Sequence, residues 1–107
     1  MRFLALAVLA ALPLDHATSP EARMDVRTFQ FAPDTLRAQL GARVFWTNQD
    51  EIEHTVTAGV PGRRDSTFDA LLKTKGSVAS HTFSRPGTFT FFCDRHHFMR
   101  GTITVTR

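Results

Sequence analysis

Cys93-Asp94-Arg95-His96-His97-Phe98-Met99, continued by Arg100 and Gly101, decides how the rest of the chain is read. It offers a thiolate sulfur, an imidazole three residues on, and a thioether three residues beyond that. These are soft or borderline donors, the set that suits copper. A trigonal site of two His and one Cys needs a second imidazole from elsewhere. His54, in Glu51-Ile52-Glu53-His54-Thr55-Val56-Thr57, is the best placed. Taken singly, each residue has a plainer explanation: a lone Cys is usually a small inert core residue, and Met is a common core filler. Taken together they outweigh it, because the flanking residues read as strands that bring the donors to one end of a sandwich. Zinc is the main alternative metal and fits less well, since its sites draw on Cys, His and carboxylates and seldom on Met.

The flanks carry a period of two. In 88–93, Phe89, Phe91 and Cys93 share one face and Thr88, Thr90 and Phe92 the other. In 102–107, Ile103 and Val105 point one way and the threonines the other. The parity turns the Cys93 sulfur inward at the end of its strand, and the turn through 94–100 keeps His96 and Met99 near it. Upstream, Val44 and Trp46 share a parity, as do Leu36, Ala38 and Leu40, while Val26 to Phe31 alternates up to Pro33-Asp34. Asn48-Gln49-Asp50 reads as a turn, and residues 59–65 as a loop rich in Gly and Pro that carries the charges of Arg63 and Arg64. Short alternating runs bounded by Gly, Pro, Asn and Asp predict an all-β antiparallel sandwich or barrel. Residues 66–75 are ambiguous, because Phe68, Leu71 and Leu72 have the spacing of a helical turn. The alternation resumes in 77–84, with Ala79, His81 and Phe83 on one face.

The chain's 107 residues suffice for one domain, and 42% of them are hydrophobic, enough for a single core. Ten Phe, one Trp and no Tyr make that core aromatic. The single Cys excludes an internal disulfide framework, so the thiol is inert, reactive or metal-bound. Arg2 followed by the apolar run 3–12 and small residues near 17–22 has the layout of an export signal. The run is shorter than the ~20 apolar residues of a membrane span. Residues 1–22 are therefore expected to be a signal peptide and 23–107 the mature domain, periplasmic or secreted and without stable membrane insertion. Removing 1–22 takes away Arg2, Asp15 and Glu21, which moves the net charge from +3 to +4. That balance is too mild to argue for nucleic acid, and no nucleic-acid-binding motif accompanies it.

At these residues the sequence resembles the cupredoxins, in particular the plastocyanin/amicyanin group of small blue copper proteins. Phe29-Gln30-Phe31-Ala32-Pro33, Val44-Phe45-Trp46-Thr47-Asn48, His54-Thr55-Val56-Thr57 and the run from Pro86 to Cys93 carry the likeness, with Cys-x-x-His-x-x-Met matching the short ligand loop of amicyanin. The resemblance implies a Greek-key sandwich of about seven to eight strands. It also implies one type 1 copper ion held by His54, Cys93, His96 and Met99, with both imidazoles binding through Nδ1. The expected role is one-electron transfer between redox proteins, by a monomer that is not an enzyme. Docking would use an apolar patch of Phe98 with Val60 and Pro61. A rim of Arg95 and Arg100, with Arg63 and Arg64, would favour an acidic partner. Copper storage or delivery and a metal-free binding module are the competing readings. An enzyme fits less well, because oxidases and reductases of this fold need further domains or ligands. Three positions depart from the family: Glu53 where Pro is usual, Thr55 where Asn usually braces the ligand loops, and His97 where Pro usually follows the second His. His97 thereby competes with His96, although the spacing favours His96.

Overall fold

The computed structural model describes residues 20–107, which leaves all but the last three residues of the expected export signal outside the described part. Alternating burial organises the described chain into nine strands and no helix: β1 Glu21–Arg27, β2 Gln30–Ala32, β3 Thr35–Gln39, β4 Arg43–Asn48, β5 His54–Val60, β6 Arg63–Leu72, β7 Val78–Thr82, β8 Gly87–Cys93 and β9 His96–Thr106. Two sheets face each other, ordered β2-β1-β4-β7 and β3-β9-β8-β5-β6. β1 runs parallel to β4 and β3 parallel to β9, while the other pairings are antiparallel. Glu21 and Ala22 already pair with Arg43 and Val44, so the first sheet begins there.

The period-two readings correspond to the inward faces. Met24 and Val26 of β1, Val44 and Trp46 of β4, Val56 of β5, Phe91 and Cys93 of β8, and Met99, Ile103 and Val105 of β9 form one buried cluster. Each large apolar side chain fully buried in this way contributes roughly 1.5–3 kcal/mol. Phe91 sits at the centre, edge-on to Phe31 at 4.8 Å and to Trp46 at 5.5 Å. Its ring lies across Gly101, where an added Cβ would fall 2.3 Å from a ring carbon. The glycine at that strand position makes room for the aromatic ring opposite it.

Four expectations need correction. Residues 66–75 form no helical turn: 66–72 belong to the ten-residue strand β6, paired with β5 from His54↔Leu72 to Val60↔Arg63. Local spacing there is overridden by pairing with a strand already fixed in the sheet. The loop expected at 59–65 shrinks to a tight turn at Pro61 and Gly62. Gly59 forms a bulge at φ 106°, where a Cβ would strike the Arg63 carbonyl oxygen at 2.5 Å. The alternation from Val26 to Phe31 breaks into a hairpin, with Thr28 and Phe29 in the turn at φ 48° and 59°. Finally, β9 begins at His96 rather than Gly101, which leaves Asp94 and Arg95 as the turn after Cys93.

Candidate metal centre

β5, β8 and β9 converge at one end of the five-stranded sheet and bring their donors together. Cys93 ends β8 with its side chain in the core, His54 opens β5 fully buried, and His96 opens β9 half-buried. Cys93 Sγ lies 3.7 Å from His54 Nδ1 and 3.7 Å from His96 Nδ1. All three donor atoms fall within 4.8 Å of one another. A metal bonded to sulfur at about 2.3 Å and to imidazole nitrogen at about 2.0 Å sets those atoms about 3.7 Å apart when the angle is trigonal. The two sulfur–nitrogen sides of the donor set therefore have the length of a three-coordinate plane. Met99 is buried in the same apolar cluster as Cys93. His97 is turned away: it is largely exposed, stands edge-on to Phe92 at 5.8 Å and faces Asp94 at 3.5 Å. Two His, one Cys and a buried Met fit copper better than the closed Cys/His/carboxylate sets of zinc.

The His54 imidazole is held with its Nδ1 towards Cys93. Asp50 Oδ2 lies 2.8 Å from His54 Nε2. A carboxylate only accepts, so Nε2 carries the proton and Nδ1 presents its lone pair towards Cys93. The same carboxylate accepts the backbone N–H groups of Thr28 at 2.7 Å and Phe29 at 3.0 Å. Those two residues lie in the left-handed region without being glycine, and Asp50 holds them there. Burial raises the Asp50 carboxyl, but the Phe29 amide, the His54 ring and the Thr28 amide outweigh it and keep it below its ordinary value. Phe29 in turn lies edge-on to His54 at 5.3 Å and to His96 at 4.9 Å. His96 is held below the usual imidazole range, chiefly by desolvation, with the Arg95 charge adding to it. A neutral imidazole is the form a metal binds, and the downward direction favours it.

Asn48 builds the turn that delivers His54. It is completely buried and hydrogen-bonded at both ends of its amide: Nδ2 donates to the Ile52 and Leu72 carbonyls at 2.9 and 3.2 Å, and Oδ1 accepts from the Asp50 amide at 2.9 Å. Neither Asn48 nor Asp50 stood out in the sequence beyond a turn signal. The available clue was the spacing of Asp50, four residues before the His. Thr55, standing where the resemblance leads one to expect Asn, still braces the loops. Its N–H points at Cys93 Sγ at 3.4 Å, and its hydroxyl accepts the Asp94 N–H at 2.8 Å. Glu53 pairs with Arg95 of the ligand turn at 3.0 Å.

The expected docking surface is only partly assembled. The six steps of β5 from His54 to Val60, at about 3.3 Å each, carry Val60 and the adjoining Pro61 roughly 20 Å from His54, to the other end of the sheet. Arg63 goes with them, since it pairs with Val60. The apolar surface beside His96 consists instead of Phe98, 70% exposed, and Phe29. Arg64 does reach the ligand turn, where it pairs with Asp94 as well as Asp69. Of the three rim cations left at the metal end, Arg95, Arg64 and Arg100, only Arg100 has no acidic partner among the described residues; it donates to the His97 carbonyl.

Fold and donor set together define a cupredoxin. The family model for copper binding proteins of the plastocyanin/azurin family matches residues 19–106, and the chain belongs to that family. It is 29% identical to amicyanin-alpha of Methylorubrum extorquens over a 107-residue alignment covering 96% of this chain and 89% of the relative. It is 32% identical to plastocyanin of Dryopteris crassirhizoma over 94 residues, 76% of this chain and 92% of the relative. Among solved structures, a purple cupredoxin from Nitrosopumilus maritimus shares the fold with a TM-score of 0.72 at 24% identity, covering 79% of this chain and 99% of that one.

Proposed function

We propose that the chain is a type 1 copper protein that carries single electrons between redox proteins, with His54, Cys93 and His96 as the trigonal ligands and Met99 as the weak axial one. The observation that carries the reading is the Sγ–Nδ1 triangle, with 3.7 Å from sulfur to each imidazole and the His54 tautomer fixed by Asp50. Copper bound there supplies a one-electron couple whose potential depends on the axial ligand and on the surroundings of the thiolate. The protein's part is to hold the donors still. Cys93 and His54 are sealed from water, the Thr55 amide points at the sulfur, and Phe29 closes over both rings. A site tied on so many sides suits repeated electron exchange better than handing the metal on.

His96, half-buried between Phe29 and Phe98, is the ligand nearest the surface and the natural electron exit. Pairing of Arg95 and Arg64 with acids leaves Arg100 as the rim charge most able to steer an acidic partner, a contribution to association rate that salt weakens. The chain works as an exported monomer, in the periplasm or outside the cell, and is a carrier rather than an enzyme. A cut at the expected 22/23 boundary would remove the first two residues of β1, so cleavage is placed before Glu21 instead.

Adding Cu(II) to the purified metal-free protein should produce an intense blue thiolate band. Cys93→Ser should abolish it, and His96→Ala should lose it or open a place that added imidazole fills. His97→Ala should leave it unchanged. A colourless parent protein, or loss of the band on His97→Ala with retention on His96→Ala, would refute the ligand assignment.

A further inference from the structure

The β5–β8 ladder stops one residue short of the sulfur. Its last pairs are Ala58↔Phe91 and Thr57↔Phe92, and a register shift between Phe92 and Cys93 interrupts the ladder to β9 as well. Cys93 and Asp94 are thus outside the β5 backbone pairing at the point where a ligand must be placed. A chain of side chains takes over there, on the outer face of the sheet. The Asp94 N–H donates to Thr55 Oγ1 at 2.8 Å, Thr55 Oγ1 lies 2.9 Å from Thr57 Oγ1, and Thr57 Oγ1 lies 2.9 Å from Asp69 Oδ1. Arg64 then joins Asp69 Oδ2, at 3.2 Å, to the Asp94 carboxylate and closes the ring.

Proton counting fixes the direction of this chain. The Asp69 carboxylate can only accept, so the single Thr57 proton goes to it. Thr57 must therefore accept from Thr55, whose oxygen is left free to accept the Asp94 N–H. Every hydroxyl is used once as donor and once as acceptor, and the chain ends on a negative charge that polarises each bond in turn. The Asp94 N–H lies in the peptide plane that contains the Cys93 Cα and carbonyl. Pinning it sets ψ of Cys93 and, with the Thr55 N–H on Sγ, the position of the sulfur.

We infer that Thr57 and Asp69, on strands whose ladder ends before the sulfur, are positioning residues for the Cys93 thiolate, acting through Thr55 and the Asp94 amide. Thr57 is wholly buried and Asp69 belongs to β6, which supplies none of the candidate ligands. The inference rests on the copper reading for its consequence at the metal, but the hydrogen-bond relay itself exists without metal.

Two measurements test it, on the full mature protein. In the metal-free state, amide hydrogen exchange at Asp94 should be about tenfold faster or more in Thr57→Val, which keeps the shape but loses the hydroxyl. It should stay near parental in Thr57→Ser. Asp69→Ala, an exposed change that leaves the core alone, should move it the same way by a smaller factor. In the copper form, Thr57→Val should shift the ratio of the two thiolate absorption bands and speed copper loss to a chelator about tenfold, in line with other outer ligand supports. Parental exchange and spectrum in Thr57→Val would overturn the relay. So would equal damage from Thr57→Ser, which would assign the effect to packing, or full reproduction of it by Arg64→Ala with no response to Thr57→Val. No response to Asp69→Ala would remove Asp69. A parent that binds no copper would sink the copper reading, while the exchange data would still decide the relay.

Discussion

Around Cys93 the side chains meet through directed hydrogen bonds; around Phe68, His81, Phe83 and Phe89 they meet through ring faces and edges. In the first region Asp50 alone takes three donors, and Asn48, Thr55 and Thr57 each serve as donor and acceptor. In the second, Phe68 lies 5.0 Å from His81, His81 4.8 Å from Phe83, and Phe83 5.1 Å from Phe89, with Trp46 leading from Phe68 back to Phe91. Apolar contact is non-directional and tolerates small shifts, so it makes the sandwich stable without fixing any atom finely. Hydrogen bonds add less net stability, about 0.5–1.5 kcal/mol each, but they fix angle and distance. The molecule thus separates stability from geometry.

The largest loss should come from the apolar region. Phe91→Ala should empty the centre of the core and cost about 3–5 kcal/mol. Urea unfolding of the metal-free protein would measure it. Molecules that remain folded should still turn blue with Cu(II), because no hydrogen bond of the metal centre uses that ring. A folded, well-populated variant without the blue band would show that packing and geometry are not separable here.

Asp50→Ala attacks the other side. It leaves two turn amides and the His54 Nε2–H without their acceptor, and should cost about 1–3 kcal/mol of stability. Its larger effect should be at the metal, with copper lost about tenfold faster and an altered thiolate spectrum. Equal copper retention in variant and parent would show that the Phe29 turn and the His54 orientation are held by packing alone.

The smallest expected effect lies in the aromatic region and depends on pH. Burial between Phe68 and Phe83 holds His81 below the usual imidazole range. Its folded value is depressed, so its contribution is present above the unfolded value of about 6.5 and is lost as pH falls through the folded one. His81→Gln should flatten the stability slope of the metal-free protein just below pH 6.5 and leave it unchanged above pH 7. An identical slope in the variant would show that the ring is free to leave its aromatic contacts when charged.

Local chemistry written along the chain determined a good deal about this protein. Alternation in 88–93 and 102–107 turned Phe91, Cys93, Ile103 and Val105 inward, because a strand has only two faces. The spacing Cys93, His96, Met99 set soft donors around one turn, and together with the flanking motifs it carried the likeness to the cupredoxins. What tertiary structure alone decided is everything that depends on pairing between distant segments. Residues 66–72 are a strand because β5 lies alongside them, not because of their own spacing. Thr28 and Phe29 can occupy a left-handed turn because Asp50, some 20 residues later, accepts their amides. Val60 and Pro61 leave the metal end because β5 is extended. Asn48, Thr57 and Asp69 look like ordinary turn and strand residues until the fold brings their polar atoms within 3.2 Å of partners that no local pattern reveals. A hydrogen bond needs that proximity and angle, and only the closed sandwich supplies them.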